Sequence, residues 1–143
     1  MATTSTATAI WEGRLRDGNG SFKAGSGAFS AAYSFATRFG GAKGTNPEEL
    51  IAAAHAACFS MALSAGLEKS GKPATRVETS AQCTIDTVDG APKITTIALR
   101  VRGRVAGLDQ NGFQRAAEEA KQGCPVSKAL QGNVTITLEA KLE

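Results

Sequence analysis

The chain has one histidine, one tryptophan, one tyrosine and three cysteines among its 143 residues. A lone histidine and three scattered thiols, with no CxxC or HExxH spacing, give no basis for a zinc site, and no other metal or cofactor is implied. Three cysteines do not make a disulfide scaffold either; in a reducing compartment they read as thiols, one or two of them candidates for chemistry. Charge is modest, at 20% of residues and net +3. Only Arg100, Arg102 and Arg104 cluster. Their alternate spacing puts them on one face of a strand, a solvated face rather than a nucleic-acid footprint. No apolar run of membrane-spanning length is expected, and the Ala/Thr-rich start lacks the charged-then-apolar order of a signal peptide. The glycine-rich stretch 18–27 lacks a phosphate-loop pattern. These absences point to a single cytoplasmic domain over 1–143, large enough for one core, with neither nucleic acid nor membrane as partner.

What is present centres on Thr45–Leu63. Asn46 is a favoured N-cap, Pro47 suits the first helical position, and Glu48 and Glu49 sit where the helix dipole favours carboxylates. Alanines at 52, 53, 54, 56, 57, 62 and 65 favour helix and allow close packing, and Gly71 and Pro73 supply the stop. This predicts a long central helix carrying one histidine, His55, and one thiol, Cys58.

Around it, Thr8–Arg16 reads as a strand, Asp17-Gly18-Asn19-Gly20 as a hairpin turn, Ser21–Ala24 as a second strand and Ala28–Phe35 as a third. Thr37-Arg38-Phe39-Gly40-Gly41 follows; its arginine is either a solvated loop charge or an anion partner held in a cleft. Thr75–Thr87 and Ile94–Val105 alternate as strands, joined by Val88-Asp89-Gly90, and should pair antiparallel. Cys83 falls on the apolar face and reads as a small buried hydrophobe. A helix over Gln110–Gln122, a short helix from Pro125 and a strand over Asn133–Leu142 complete an α+β order of antiparallel sheets, with the long central helix and a second helix.

A thiol becomes a nucleophile as thiolate, where a cation or a helix N-terminus offsets its charge. Cys124, in the N-cap place before Pro125, meets the second condition; a buried structural thiol fits that place equally. Cys58 lies mid-helix and needs a charged partner from elsewhere. His55, three residues earlier, raises the alternative of a Cys–His hydrolase or acyl transferase, against the plainer reading of a satisfied histidine. Glu48 lies ten residues from Cys58, about 15 Å along a helix, too far for contact within it. A non-catalytic binding module with both thiols merely buried is the third reading.

Trp11-Glu12-Gly13, Thr37-Arg38-Phe39, Gly44–Ile51, Ala53–Leu63 and Gly123-Cys124-Pro125-Val126-Ser127 closely resemble the OsmC/Ohr hydroperoxide-resistance family, and His55 with Arg38-Phe39 resembles its OsmC branch. The resemblance implies an intertwined α+β homodimer and a thiol-dependent peroxidase acting on organic hydroperoxides, with hydrogen peroxide a lesser substrate. It implies that Cys58 attacks the peroxide and becomes a sulfenic acid, and that Cys124 condenses with it to a disulfide. A dithiol reductant, of lipoyl type among others, reopens that bond. It further implies that Arg38 stabilises the Cys58 thiolate and that Glu48, rather than Glu49, orients Arg38. One equivalent of cumene hydroperoxide is therefore expected to lower the titratable thiols from three to one. Peptide mass mapping should then find a Cys58–Cys124 link, with Cys83 recovered in the alkylated peptide.

Overall fold

The computed structural model describes all residues, Met1–Glu143. Along the chain run β1 (Ala7–Glu12), β2 (Asn19–Ala24), β3 (Ser30–Tyr33), α1 (Phe35–Phe39), α2 (Pro47–Lys69), β4 (Ala74–Val88), β5 (Ala91–Val105), α3 (Gln110–Gly123), α4 (Pro125–Leu130) and β6 (Thr135–Leu142). The chain divides into two compact units, Met1–Leu50 and Ile51–Glu143. The architecture is α+β, as expected.

The first unit is an antiparallel sheet in the order β1-β2-β3 with α1 after it. Trp11 and Tyr33 flank Gly20 across the strands, their rings 5.4 Å apart, and Phe22 packs on Tyr33 at 5.5 Å. The hairpin turn lies earlier than its Asp-Gly and Asn-Gly pairs suggest. β1 ends at Glu12, residues 13–18 form the loop, and Asn19 already pairs with Glu12. Gly13 takes φ 93°, Trp11 Nε1 donates to its carbonyl, and Gly18 N donates to Arg14 O at 2.7 Å, closing the loop before Asp17 can turn it.

The expected third strand also stops short, because Ser34 caps α1. Its hydroxyl accepts from Thr37 N at 3.2 Å while its own N–H donates to Thr37 Oγ1 at 2.9 Å. This reciprocal capping box turns the Arg38 segment into a helix instead of a loop.

In the second unit, β4 and β5 pair antiparallel over their lengths, as expected. The β5–β6 pairing is parallel, which corrects the expectation of antiparallel sheets only. The chain leaves the end of β5, crosses through α3 and α4 and re-enters beside it running the same way; a connection of that length permits parallel pairing. Ile97, Leu99, Val101 and Val105 on one face of β5 join Phe59, Leu63 and Leu67 of α2 and Phe113, Ala117 and Ala120 of α3 in one core. On the opposite face Arg100, Arg102 and Arg104 are exposed and pair with Glu139 and Glu143. α3 is capped by Asp109, which accepts from Gly112 N, and it clamps β6 through Gln110, bonded to Ala140 O and Leu142 N.

α2 ends as its sequence indicates. Lys72 N donates to Leu67 O and Gly71 N to Glu68 O, with Gly71 at φ 79°, a Schellman stop. Beyond its first turn, where Glu48 is buried, the helix buries one narrow stripe, His55, Phe59, Leu63 and Leu67, spaced by four. Its other faces are also apolar: Ala53, Ala54, Ala57, Ala65 and the 75%-exposed Met61 lie open. By length and composition this helix could cross a membrane, contrary to the expectation of no such run; only 22% of that stretch is buried. The expectation failed because Glu48 and Glu49 occupy one end and leave the apolar remainder long enough.

Gly103 faces the core where the Phe113 ring lies against the β5 backbone, and a Cβ there would overlap that ring. Gly103→Ala is expected to cost about 1–3 kcal/mol through overpacking. The denaturant midpoint should fall at unchanged slope, and Phe113→Leu in the same chain should recover part of the loss.

Candidate functional site

Two of the three cysteines meet. Cys58 Sγ lies 3.1 Å from Cys124 Sγ, both as free thiols. α2 presents Cys58 beside its buried stripe, partly exposed, whereas Cys124, closing α3 and opening α4, is wholly buried. Burial and the Cys124 contact push the Cys58 thiol above its ordinary value, against a lowering contribution from Val126 N–H. Burial pushes Cys124 up too, but the Ser127 N–H, the Cys58 thiol, the Ser127 hydroxyl and the Val126 N–H outweigh it and bring Cys124 below the ordinary thiol. The Cys124 sulfur makes no full cap hydrogen bond, so these N–H groups act on it at longer reach. At this separation the first proton is lost by the pair rather than by either sulfur alone. No lysine or arginine figures among the groups acting on the two thiols.

His55 is fully buried and bonds Ser127, not Cys58. Its Nε2 is 2.7 Å from Ser127 Oγ, and its Nδ1 has no partner. Neither ring nitrogen therefore serves Cys58 as a base, which removes the geometry that a Cys–His hydrolase needs. Burial lowers the His55 pKa and keeps the ring neutral near pH 7.

The first unit holds the other two expected residues, Arg38 and Glu48, as a pair. Asn46 organises them: its Oδ1 accepts from Glu49 N at 2.9 Å, capping α2, while its Nδ2 donates to Thr37 O at 3.0 Å. The start of α2 is thereby tied to α1. Arg38 Nη2 donates to Glu48 Oε1 at 2.8 Å and Nε bonds both carboxylate oxygens. Glu48 is buried and Glu49 exposed, so Glu48 is the carboxylate that holds the guanidinium. These bonds use Nε and Nη2 and leave Nη1 free to meet another acceptor. The Arg38 guanidinium carbon also lies 5.2 Å from the Phe39 ring centre, a cation–π contact.

Ser127 is the site neighbour that sequence reasoning missed. A serine in the first turn of a short helix has an ample local explanation, and nothing in the spacing joins it to a histidine 72 residues away. No cluster of three His, Cys, Asp or Glu side chains suited to a metal is present.

Comparison with known proteins adds a family. A family model described as OsmC-like protein matches residues 40–139, a span that includes Glu48, Cys58 and Cys124 and stops short of Arg38. The chain is 46% identical over 134 residues to Peroxiredoxin OsmC of Escherichia coli K12, covering 93% of this chain and 94% of that one. Among solved structures, OhrB of Bacillus subtilis, an organic hydroperoxide resistance protein, superposes with TM-score 0.73 at 29% identity, over 95% of this chain and 98% of that one. An organic hydroperoxide resistance protein from Elizabethkingia anophelis superposes at TM-score 0.77 and 26% identity over the whole of both chains.

His55 makes stability pH-dependent in a definite direction. Its folded pKa lies below 6.5, so the unfolded chain takes up a proton that the folded chain refuses. Its contribution is full above pH 6.5 and is lost as pH falls below it. Denaturant midpoints should drop between about pH 7.5 and 5.5, and more steeply in the native protein than in His55→Gln.

Proposed function

This chain belongs to the OsmC-like family, and we propose that it is a cysteine-based peroxidase reducing organic hydroperoxides to alcohols, with hydrogen peroxide a lesser substrate. One observation carries the reading: two reduced thiols 3.1 Å apart, one reachable from solvent and one wholly buried. The reachable thiol can meet a peroxide; the buried one can meet only the product formed on its neighbour.

In this reading the Cys58 thiolate attacks the terminal peroxide oxygen. The O–O bond breaks, the alkoxide takes a proton and leaves as alcohol, and Cys58 keeps the oxygen as sulfenic acid. Cys124 then attacks that sulfur; the S–S bond forms, the S–O bond breaks, and the oxygen departs as water with the thiol proton. A dithiol reductant attacks the disulfide and restores both thiols by exchange.

As a thiolate, Cys58 needs a cation to offset its charge. Arg38, held by Glu48 with Nη1 free, is suited to the task. Glu48 and Cys58 are separated by about 15 Å of helix, so the pair reaches a thiol site most directly in a second copy of the chain. The bare apolar face of α2 supports the same homodimer, because exposed apolar surface of this extent is ordinarily covered. The whole of 1–143 then works as one domain in the reducing cytoplasm. With the partner's Arg38 beside Cys58, the proton shared by the sulfurs moves to Cys124 and the charge to Cys58.

Cys58→Ser is expected to abolish turnover, and Cys124→Ser to allow one oxidation and then stall or over-oxidise. Native thiols unreactive toward peroxide would leave a binding module instead. Sedimentation should give twice the 14.7 kDa chain mass. Mixing Arg38→Ala and Cys58→Ser chains, each inactive alone, should restore activity, because a mixed dimer has one site with both groups intact. Failure to recover any activity from mixed dimers sinks the exchange of arginine between copies.

A further inference from the structure

The fully buried His55 takes no part in the chemistry above, yet it stands two bonds from it. Its Nε2 is 2.7 Å from Ser127 Oγ, and Ser127 is buried in the first turn of α4, the helix that Cys124 opens, with its hydroxyl and N–H among the groups that lower the Cys124 thiol. Cys124 Sγ is 3.1 Å from Cys58 Sγ. The two outer links are close contacts, and Ser127, three residues after Cys124, stands between them in the chain.

The unpartnered Nδ1 fixes the direction of that chain. One tautomer carries its hydrogen on Nδ1, burying a donor with no acceptor, the rarer and costlier kind of orphan. The other carries it on Nε2 and leaves only a lone pair unmet. With the hydrogen on Nε2, His55 donates to Ser127 Oγ, and the one hydroxyl hydrogen of Ser127 is free to point at Cys124. A serine hydroxyl has a single hydrogen to give. The histidine therefore settles where it goes.

We propose that His55 and Ser127 are positioning residues for Cys124, a one-way donor chain that holds its sulfur toward Cys58 and sustains it as the thiolate that closes the disulfide. The proposal rests on the reading of Cys124 as the resolving thiol. In the step it serves, once Cys58 is a sulfenic acid, Cys124 gives its proton to solvent and its thiolate sulfur bonds to the sulfenic sulfur. The S–O bond breaks, and the departing hydroxide takes a proton back from solvent and leaves as water. Neither His55 nor Ser127 gains or loses a proton overall. Their part is to stabilise the attacking sulfur, and to do the same when it becomes the leaving group as the disulfide is reduced.

The test separates this role from the peroxidase itself. In single-turnover reactions with cumene hydroperoxide, Ser127→Ala should slow disulfide closure roughly tenfold more than it slows the first oxidation of Cys58, the size expected for a lost hydrogen bond to a charged group. Sulfenic acid trapped by dimedone at Cys58 should rise accordingly, and Ser127→Thr, which keeps the hydroxyl, should restore closure. A second measurement needs no peroxide. In a Cys58→Ser, Cys83→Ser background, the pH profile of the Cys124 thiolate's ultraviolet absorbance, which needs no reagent to reach the buried sulfur, should shift to higher pH with Ser127→Ala and with His55→Leu. Because the chain has one histidine, its imidazole nitrogens give one set of signals, and long-range proton–nitrogen spectra should show hydrogen on Nε2. Closure at the native rate in Ser127→Ala, an unmoved thiolate absorbance profile or an Nδ1–H tautomer would each overturn the proposal. If the native protein forms no disulfide with peroxide, the peroxidase reading fails while the thiolate absorbance profile still decides the donor chain.

Discussion

The chemistry of the second unit depends on a stripe of four residues along α2. His55, Phe59, Leu63 and Leu67 recur every fourth position and are the helix's deeply buried side chains. Three of them are hydrocarbon, contributing on the order of 2 kcal/mol each by burial, and they lock the helix to the inner face of β5. The fourth is a histidine that hydrogen-bonds instead of filling space. Once this stripe is seated, the rotation of the helix is fixed and Cys58, one position before Phe59, lies at its edge, half covered. A rotation by one residue would bury the thiol or expose it fully; neither suits a group that meets a small molecule on one side and a second thiol on the other.

How much of this could be read from the sequence follows from how local each signal is. The N-cap of α2, its Schellman stop, the alternation of β4 and β5 and the cap of α3 are set by residues within a few positions, and they fall where the sequence puts them. The capping box of α1 is just as local, but Ser34 and Thr37 also suit a strand, so the segment looked like sheet and loop. The parallel β5–β6 pairing depends on where a 29-residue connection sets the chain down, and alternation says nothing about strand direction. Of the site, the type of each residue was legible while the contacts were not: 66 residues separate the two thiols, and 72 separate His55 from Ser127. The family resemblance supplied the first pairing; only the fold supplies the second.

The electrostatics divide unusually cleanly between the two units. The first holds a guanidinium whose charge is met by a buried carboxylate, with part of its donor set unspent. The second holds two thiols in contact, one pushed above and one brought below the ordinary thiol value.

The 3.1 Å gap between the sulfurs has a mechanical meaning. A disulfide sets its sulfurs about 2.05 Å apart, so the two atoms need travel only about 1 Å toward each other. Side-chain rotation of that size lies within the thermal freedom of a packed interior, and neither α2 nor the turn into α4 has to unwind. Sulfur travel of that length is the least that any bond between the two thiols would require.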